Sequence, residues 1–468
     1  MPSEASAGET TSLADWMDRQ YQLSAAAMLQ SISAVHLIKE RPAFGQSIRP
    51  AKGSVLASSA IASYDPDPDY FFHWLRDSAI VIDALRTLIE DGTCGSEARD
   101  HVKDFLRFAL VLGDQDGRAL LKEGASPRAV DPDFQQYMRP AAELRAAHGD
   151  AVLGETRVNP DGTLDITKWA RPQHDGPALR ALAVLRLLRS DIVDDPAARI
   201  TARALVETDL AFIHRRWAEP SFDIWEEELG LHYYTRLAQH AALADGAEWL
   251  DEIGDPHLGP LYRQASREIA QCLDSHWSAA KGFYLSRLGA TAGSSTKELD
   301  IATILAVVHA RRGEGPHSVL DPRAQATLTR LEQLFARDYR INESLPPGHG
   351  PAMGRYAGDR YYSGGAYYFA TLGAAEFYYR LAYARARELR VVADPRQPVD
   401  RSDAVDALIS RGDGFMAAVR AHTPASGELS EQFDQATGRQ TSAKNLAWSH
   451  AAFVTATASR RAARSGDR

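Results

Sequence analysis

Ser221-Phe-Asp-Ile-Trp-Glu-Glu-Glu-Leu-Gly230 sets three consecutive carboxylates directly behind a tryptophan, at the end of a loop-like segment and just ahead of a helical pattern. Successive residues there point in different directions, so at most one or two of Glu226, Glu227 and Glu228 face a common pocket. An acid beside an indole suits a proton donor, because an apolar wall disfavours its charged form. An acidic first turn that favours the helix dipole accounts for the same residues equally well. Far along the chain, Ser426-Gly-Glu-Leu-Ser-Glu-Gln-Phe-Asp434 carries Glu431 in a Gly-containing turn segment. Two such carboxyl groups could form an acid/base pair.

Outward from this stretch the chain reads as helices. Apolar residues at Leu13, Trp16, Met17, Met28, Leu29, Ile32, Val35 and Ile38 follow a broadly helical pattern that ends before Pro42, and Ser12 with Asp15 is a fair start signal. The same rhythm predicts helices over 77–90, about 102–112, 177–190, 197–216, 231–250 and 257–275. Further helices are expected at 298–312, 322–337, 362–388, 402–421 and 442–464. Residues 46–70 and 113–175 read as long loops, the second with the Gly and Pro punctuation of a functional surface. A hairpin-like piece is expected at Gly282 to Arg287. The whole is all-α, with few convincing strands and loops of alternating length. A toroid-like single domain over 13–468, preceded by a flexible tail at 1–12, fits this pattern, although length alone suggests about three domains.

Composition narrows the function classes. The chain has 468 residues, with 53 Lys plus Arg against 62 Asp plus Glu, a net charge of −9. A mildly acidic chain without a basic run in its body is a poor partner for a phosphate backbone, so nucleic acid is excluded. The only cysteines are Cys94 and Cys272, without CxxC or Cys/His spacing, which fits a reducing compartment and offers no metal site. No stretch approaches the roughly 18 apolar residues of a membrane span. The N-terminus lacks the basic and apolar regions of a secretory signal, so the expectation is a soluble cytoplasmic monomer.

Four segments crowd aromatic, acidic and arginine residues just before helices: Asp69-Tyr-Phe-Phe-His-Trp-Leu-Arg-Asp77, Lys168-Trp-Ala-Arg-Pro-Gln-His-Asp-Gly-Pro177, Trp225 to Glu228, and Gly354-Arg-Tyr-Ala-Gly-Asp-Arg-Tyr-Tyr-Ser-Gly-Gly365. The Glu431 turn followed by Trp448 completes the set. Aromatic faces stack on the CH faces of sugar rings, while Arg and Asp bind hydroxyls. Their recurrence favours one shared pocket over several independent helix caps. His174 reads either as a pocket residue or as a solvent-facing loop histidine.

The chain resembles the catalytic domain of the glucoamylases, the glucan 1,4-alpha-glucosidases of glycoside hydrolase family 15. The resemblance rests on PDYFFHWLRDSA (68–79), WARPQHDGPALRA (169–181), FDIWEEELG (222–230), GRYAGDRYYSGG (354–365) and LSEQFDQATGRQTSAKNLAWSHAA (429–452), which occur in the family's order. It implies an (α/α)6 toroid with the active site at the mouth formed by its long loops. By the same matching, Glu226 takes the place of the general acid and Glu431 that of the general base. Arg76 and Asp77 would hold hydroxyls of the terminal glucose, Tyr70, Trp169 and Trp448 would line the pocket, and Arg355 would bind neighbouring sugars. Trp74, Arg171, Trp225 and Glu227 complete the implied substrate-binding set. Direct displacement needs room for water, so the carboxyl groups should lie roughly 6.5–9.5 Å apart, with β-glucose as the product. Neither step needs a metal or organic cofactor.

The chain departs from the family pattern at several places. His73 replaces a small polar residue, Leu75 is more apolar than usual, and Glu228 adds an acid where valine is common. Tyr367 stands where fungal enzymes carry a tryptophan in the outer cleft, and Lys444-Asn445 replaces Arg-Asp. No starch-binding module, linker or N-terminal β-sandwich is visible, so soluble α-glucans are expected in preference to raw starch. The expected activity is exo-acting and inverting on maltooligosaccharides. The rival substrates are isomalto-oligosaccharides or trehalose, and a rival from another class is a non-catalytic glycan-sensing protein.

Overall fold

The computed structural model describes residues 11–122, 130–289, 296–392 and 403–466. Twelve long helices carry the fold: α1 Leu13–Ser31, α2 Leu75–Glu90, α3 Ser96–Leu112, α4 Asp175–Arg189, α5 Pro196–Arg216, α6 Tyr233–Glu252, α7 Gly259–Asp274, α8 Ala302–Ala310, α9 Pro322–Asp338, α10 Tyr368–Val392, α11 Asp403–Ala421 and α12 Ala447–Ser465. The even-numbered helices close a ring: α2 packs on α4, α4 on α6, α6 on α8, α8 on α10, α10 on α12, and α12 returns to α2. Each odd-numbered helix lies outside, α1 on α12, α3 on α5 and α2, α5 on α4, α7 on α6, α9 on α8 and α11 on α10. The architecture is an (α/α)6 toroid.

The sequence explains which helix lies where. Inner α8, ATILAVVHA, is buried at every residue except His309, as a helix apolar on all sides must be. Outer α7 is buried at Tyr262, Ala265, Ser266, Ile269 and Leu273, the single stripe of an amphipathic helix. Three outer helices are also capped by side chains: Ser12 accepts from Asp15 N, and Asp195 and Asp321 cap helices that open on Pro196 and Pro322. At the inner helices α2, α4, α6, α8 and α12 no side chain caps the N-terminus. These ends turn toward one mouth, where backbone N–H groups and the helix dipole favour polar ligands and acids.

Two-residue ladders tie the mouth loops together. His73–Trp74 pairs with Val158–Arg157, Ser221–Phe222 with Gly230–Leu229, Leu231–His232 with Leu288–Arg287, and Ala366–Tyr367 with Phe433–Gln432. Gly364 sits beside the last of these at φ 56°, where a Cβ would meet the Asp359 carbonyl at 2.2 Å.

Three expectations are corrected. Helix α1 ends at Ser31, well short of Pro42, because Ser33 turns the chain at φ 53° and Val35 and Ile38 face solvent. The 113–175 loop contains short helices at Gly117–Lys122, Ala141–Ala146 and Asp150–Leu153, too brief to show a period. Phe283–Tyr284 and Arg287–Leu288 do not pair with each other, the first returning to Trp277–Ser278 and the second joining Leu231–His232. Residues 1–10 of the expected tail lie outside the described residues.

Candidate active site

The Ser221–Gly230 stretch is a hairpin whose tip carries the three acids. Asp223 closes the tip, its carbonyl accepting from Glu226 N at 3.0 Å and its carboxylate from Glu227 N at 2.8 Å. The turn holds Glu226 at φ 64°, a conformation that costs a non-glycine residue about 1–3 kcal/mol and is typical of functional sites. Since α6 starts only at Tyr233, none of the acids lies in its first turn, and the helix-dipole reading falls. Glu226 and Glu227 face a common cavity, whereas Glu228 turns to Arg287 and Lys297.

That cavity, of about 300 Å³, is lined by Tyr70, Trp74, Arg76, Asp77, Trp169, Trp225, Glu226, Glu227, Arg355, Glu431 and Trp448. Residues drawn from all five motif segments therefore converge. Glu226 Oε1 accepts from Trp74 Nε1 at 2.7 Å and Arg76 NH2 at 3.1 Å, and Oε2 accepts from Trp169 Nε1. The indoles meet this carboxyl through their N–H groups, so its surroundings are polar where an apolar wall was expected. Trp225 itself donates elsewhere, to Asp300 Oδ2 at 2.8 Å.

Glu431 enters from the opposite loop. Its backbone N–H bonds the Ala443 carbonyl at 2.7 Å, Ser442 Oγ donates to Oε2, and Tyr70 Oη lies 3.3 Å from Oε1. Burial pushes this carboxyl up to about 7, against the opposing pull of Ser442, Arg355 and Tyr70. Burial likewise raises Asp77 to about 6, with Arg76 opposing and Glu226 and Asp175 adding to the rise. Glu227 goes the other way: burial is outweighed by Arg355, Lys297 and Tyr356, which hold it below the usual carboxylate range. Its Oε1 lies 3.1 Å from Arg355 NH2 and its Oε2 2.6 Å from Tyr356 Oη.

The floor holds buried polar atoms without a hydrogen bond: Trp448 Nε1, and Arg76 Nε and Asp77 Oδ2, which face each other as an ion pair at 3.6 Å. Buried polar groups are normally hydrogen-bonded, so two donors and one acceptor here match a ligand that carries hydroxyls. Trp448 is held flat against Phe369, with ring centroids 4.1 Å apart and planes 9° apart.

Arg171 is not among the cavity residues. Its guanidinium is spent on Glu155 at 2.6 Å and Asp165 at 2.9 Å. Asp165 also holds Arg157 at 2.9 Å, and Arg157 stacks under Trp169 at 3.4 Å, so Arg171 braces the wall from behind. His174 is buried against Phe212 and reaches neither pocket nor solvent. His73 is likewise buried, with Nδ1 accepting from Val55 N at 2.9 Å, and burial lowers it to about 3, leaving a neutral core residue. Tyr367, expected in the outer cleft, is buried behind Trp225 and bonds Gln432 Nε2 at 2.7 Å. Sequence reading missed Tyr361 and Phe369 as cavity residues. Tyr361 lay inside the quoted 354–365 segment, and its hydroxyl lies 2.8 Å from that of Tyr70. Phe369 carried no signal beyond helical periodicity.

The sequence profile described as glycosyl hydrolases family 15 matches residues 42–458. The chain belongs to this family. Its relatives include glucoamylase 1 of Rhizopus oryzae, 26% identical over 97% of this chain and 72% of its own length. The probable glucoamylase of Schizosaccharomyces pombe is 28% identical over 95% of this chain and 91% of its own. The solved Hormoconis resinae glucoamylase superposes with a TM-score of 0.76 at 26% identity, covering 96% of this chain and 74% of that one. As a family 15 member the chain is a glycoside hydrolase. Among the described residues no helix is long and apolar enough to cross a membrane, and no three His, Cys, Asp or Glu side chains gather as a metal cluster.

Proposed function

We propose that the chain is an exo-acting, inverting α-glucoside hydrolase that releases β-D-glucose from the non-reducing ends of maltooligosaccharides or soluble α-glucans. Glu226 is the general acid and Glu431 the general base. The observation that carries this reading is the meeting of two carboxyls from separate loops in one cavity, above floor atoms that lack hydrogen bonds. A cavity of about 300 Å³ is at the small end of ligand pockets, which suits the end of a chain better than its middle.

Arg76, Asp77 and Trp448 bind hydroxyls of the terminal sugar, and the aromatic walls stack on its CH faces. Trp74, Arg76 and Trp169 fix the Glu226 carboxyl through their N–H groups, so its proton is delivered at one position to the leaving oxygen. Glu431 takes a proton from water on the other face of the ring. With its carboxyl near 7, the base is matched to neutral operation. Glu227 and Arg355, already paired, present a fixed surface to the neighbouring sugar.

A proton NMR time course with maltotriose, maltoheptaose, isomaltotriose and trehalose tests the reading. Early β-glucose from the malto-series is expected. α-Glucose would overturn the inverting assignment, and β-glucose only from isomaltotriose or trehalose would move the specificity to those substrates.

A further inference from the structure

A second, larger cavity of about 1280 Å³ lies at the other end of the toroid, where the C-terminal ends of all six inner helices meet. Arginines dominate its wall: Arg86 from α2, Arg186 and Arg189 from α4, Arg311 and Arg312 following α8, and Arg380 and Arg387 from α10. Four acids share the wall, Glu90, Asp245, Glu314 and Glu388. Some of these charges pair at the rim, Arg312 with Asp245 at 2.6 Å and Arg189 with Glu252 at 3.0 Å. Glu388 faces Arg385 at 2.8 Å.

The deeper part is unbalanced. Asp83 receives Arg86 at 2.9 Å, Arg186 at 2.7 Å and Arg311 at 2.9 Å; with Glu90 also on Arg86 and Glu376 on Arg380, four guanidinium groups face three carboxylates. Arg311 Nε is buried without a hydrogen-bond partner, and the residue is held at φ 52° by its place as the α8 C-cap. Burial, with Arg186, Arg380 and Arg86 close by, pushes Arg311 well below its ordinary value. An excess of buried cations over their carboxylates is costly, and a bound anion removes that cost. Guanidinium forks match the oxygens of phosphate in bidentate geometry, and this is the main use of clustered arginine.

We infer that this cavity binds a tetrahedral oxyanion of the phosphate class, held by Arg186, Arg311 and Arg380. Thr87, Ser190 and Ser459 line the same wall with their hydroxyls donating to the Asp83 and Leu187 carbonyls and to Glu376, and the volume admits a phosphomonoester as well as the free anion. The site is separate from the sugar pocket: the two share no lining residue.

Isothermal titration of the whole chain with inorganic phosphate, and in parallel with glucose 6-phosphate, tests this at constant ionic strength set by sodium chloride. Saturable binding is expected, weakened at least tenfold in Arg311→Gln, where Asp83 keeps Arg86 and Arg186. Tighter binding of phosphate would identify the free anion as ligand, and tighter binding of the ester a phosphorylated sugar. No saturable binding above the chloride control, or unchanged affinity in a folded Arg311→Gln, overturns the inference. Should that variant not fold, a crystal structure of the unaltered chain grown with phosphate decides. Density against Arg186, Arg311 and Arg380 supports the site, and its absence there refutes it.

Discussion

Trp74 Nε1 donates to Glu226 Oε1 at 2.7 Å, joining the loop before α2 to the hairpin tip before α6. The bond orients the acid instead of merely walling it. Hydrogen bonds to charged or reacting carboxyls are worth about 1.5–3 kcal/mol, so Trp74→Phe, which keeps an aromatic wall but loses the donor, is expected to lower kcat about 10–100-fold. Steady-state kinetics on maltoheptaose checks this. An unchanged kcat with only a raised KM would mean that Trp74 binds sugar and does not orient Glu226.

Ser442 donates its hydroxyl to Glu431 and so favours the charged carboxylate. The proposed base role requires that charge, so activity is expected to fall as pH drops through the Glu431 value. Ser442→Ala removes the donor, raises the value, and is expected to move the acid limb of the kcat/KM profile upward by about 0.5–1 unit. A profile that stays in place would detach the acid limb from Glu431.

The same carboxyl makes a stability prediction with a definite sign. A buried acid raised to about 7 favours the folded state while protonated, and this contribution fades as pH rises from the unfolded value near 4.5 through 7. Glu431→Gln stays neutral throughout. Relative to the unaltered chain it should gain about 3 kcal/mol between pH 4.5 and 8. Thermal melts of both proteins across that range would show the gap opening with pH, and parallel curves would contradict it.

Arg171 bridges Glu155 and Asp165 behind the Trp169 wall. Removing one partner of a buried ion pair strands the other and costs about 3–5 kcal/mol. Arg171→Ala is thus expected to lower Tm markedly, with activity at low temperature affected less than in Arg76→Ala. Full retention of Tm with a large rise in KM would restore Arg171 to the substrate-binding set.

The sequence alone determined the helical class, the approximate positions of twelve helices and the segments that build the site. Periodicity and motif order are local properties, so α4, α5 and α9 were legible almost to the residue. Short helices such as Asp150–Leu153 were not, since four residues hold barely one turn. Only tertiary structure decided which side of each segment meets the cavity. It turned Glu228 away from Glu226 and Glu227, put Arg171 behind the wall, and buried His73, His174 and Tyr367. It also brought Phe369 under Trp448 and gathered arginines from separate inner-ring elements beside Asp83. Those outcomes depend on ring closure, which sets side chains from distant helices against one another, and no local pattern encodes the partner a side chain will find across a closed ring.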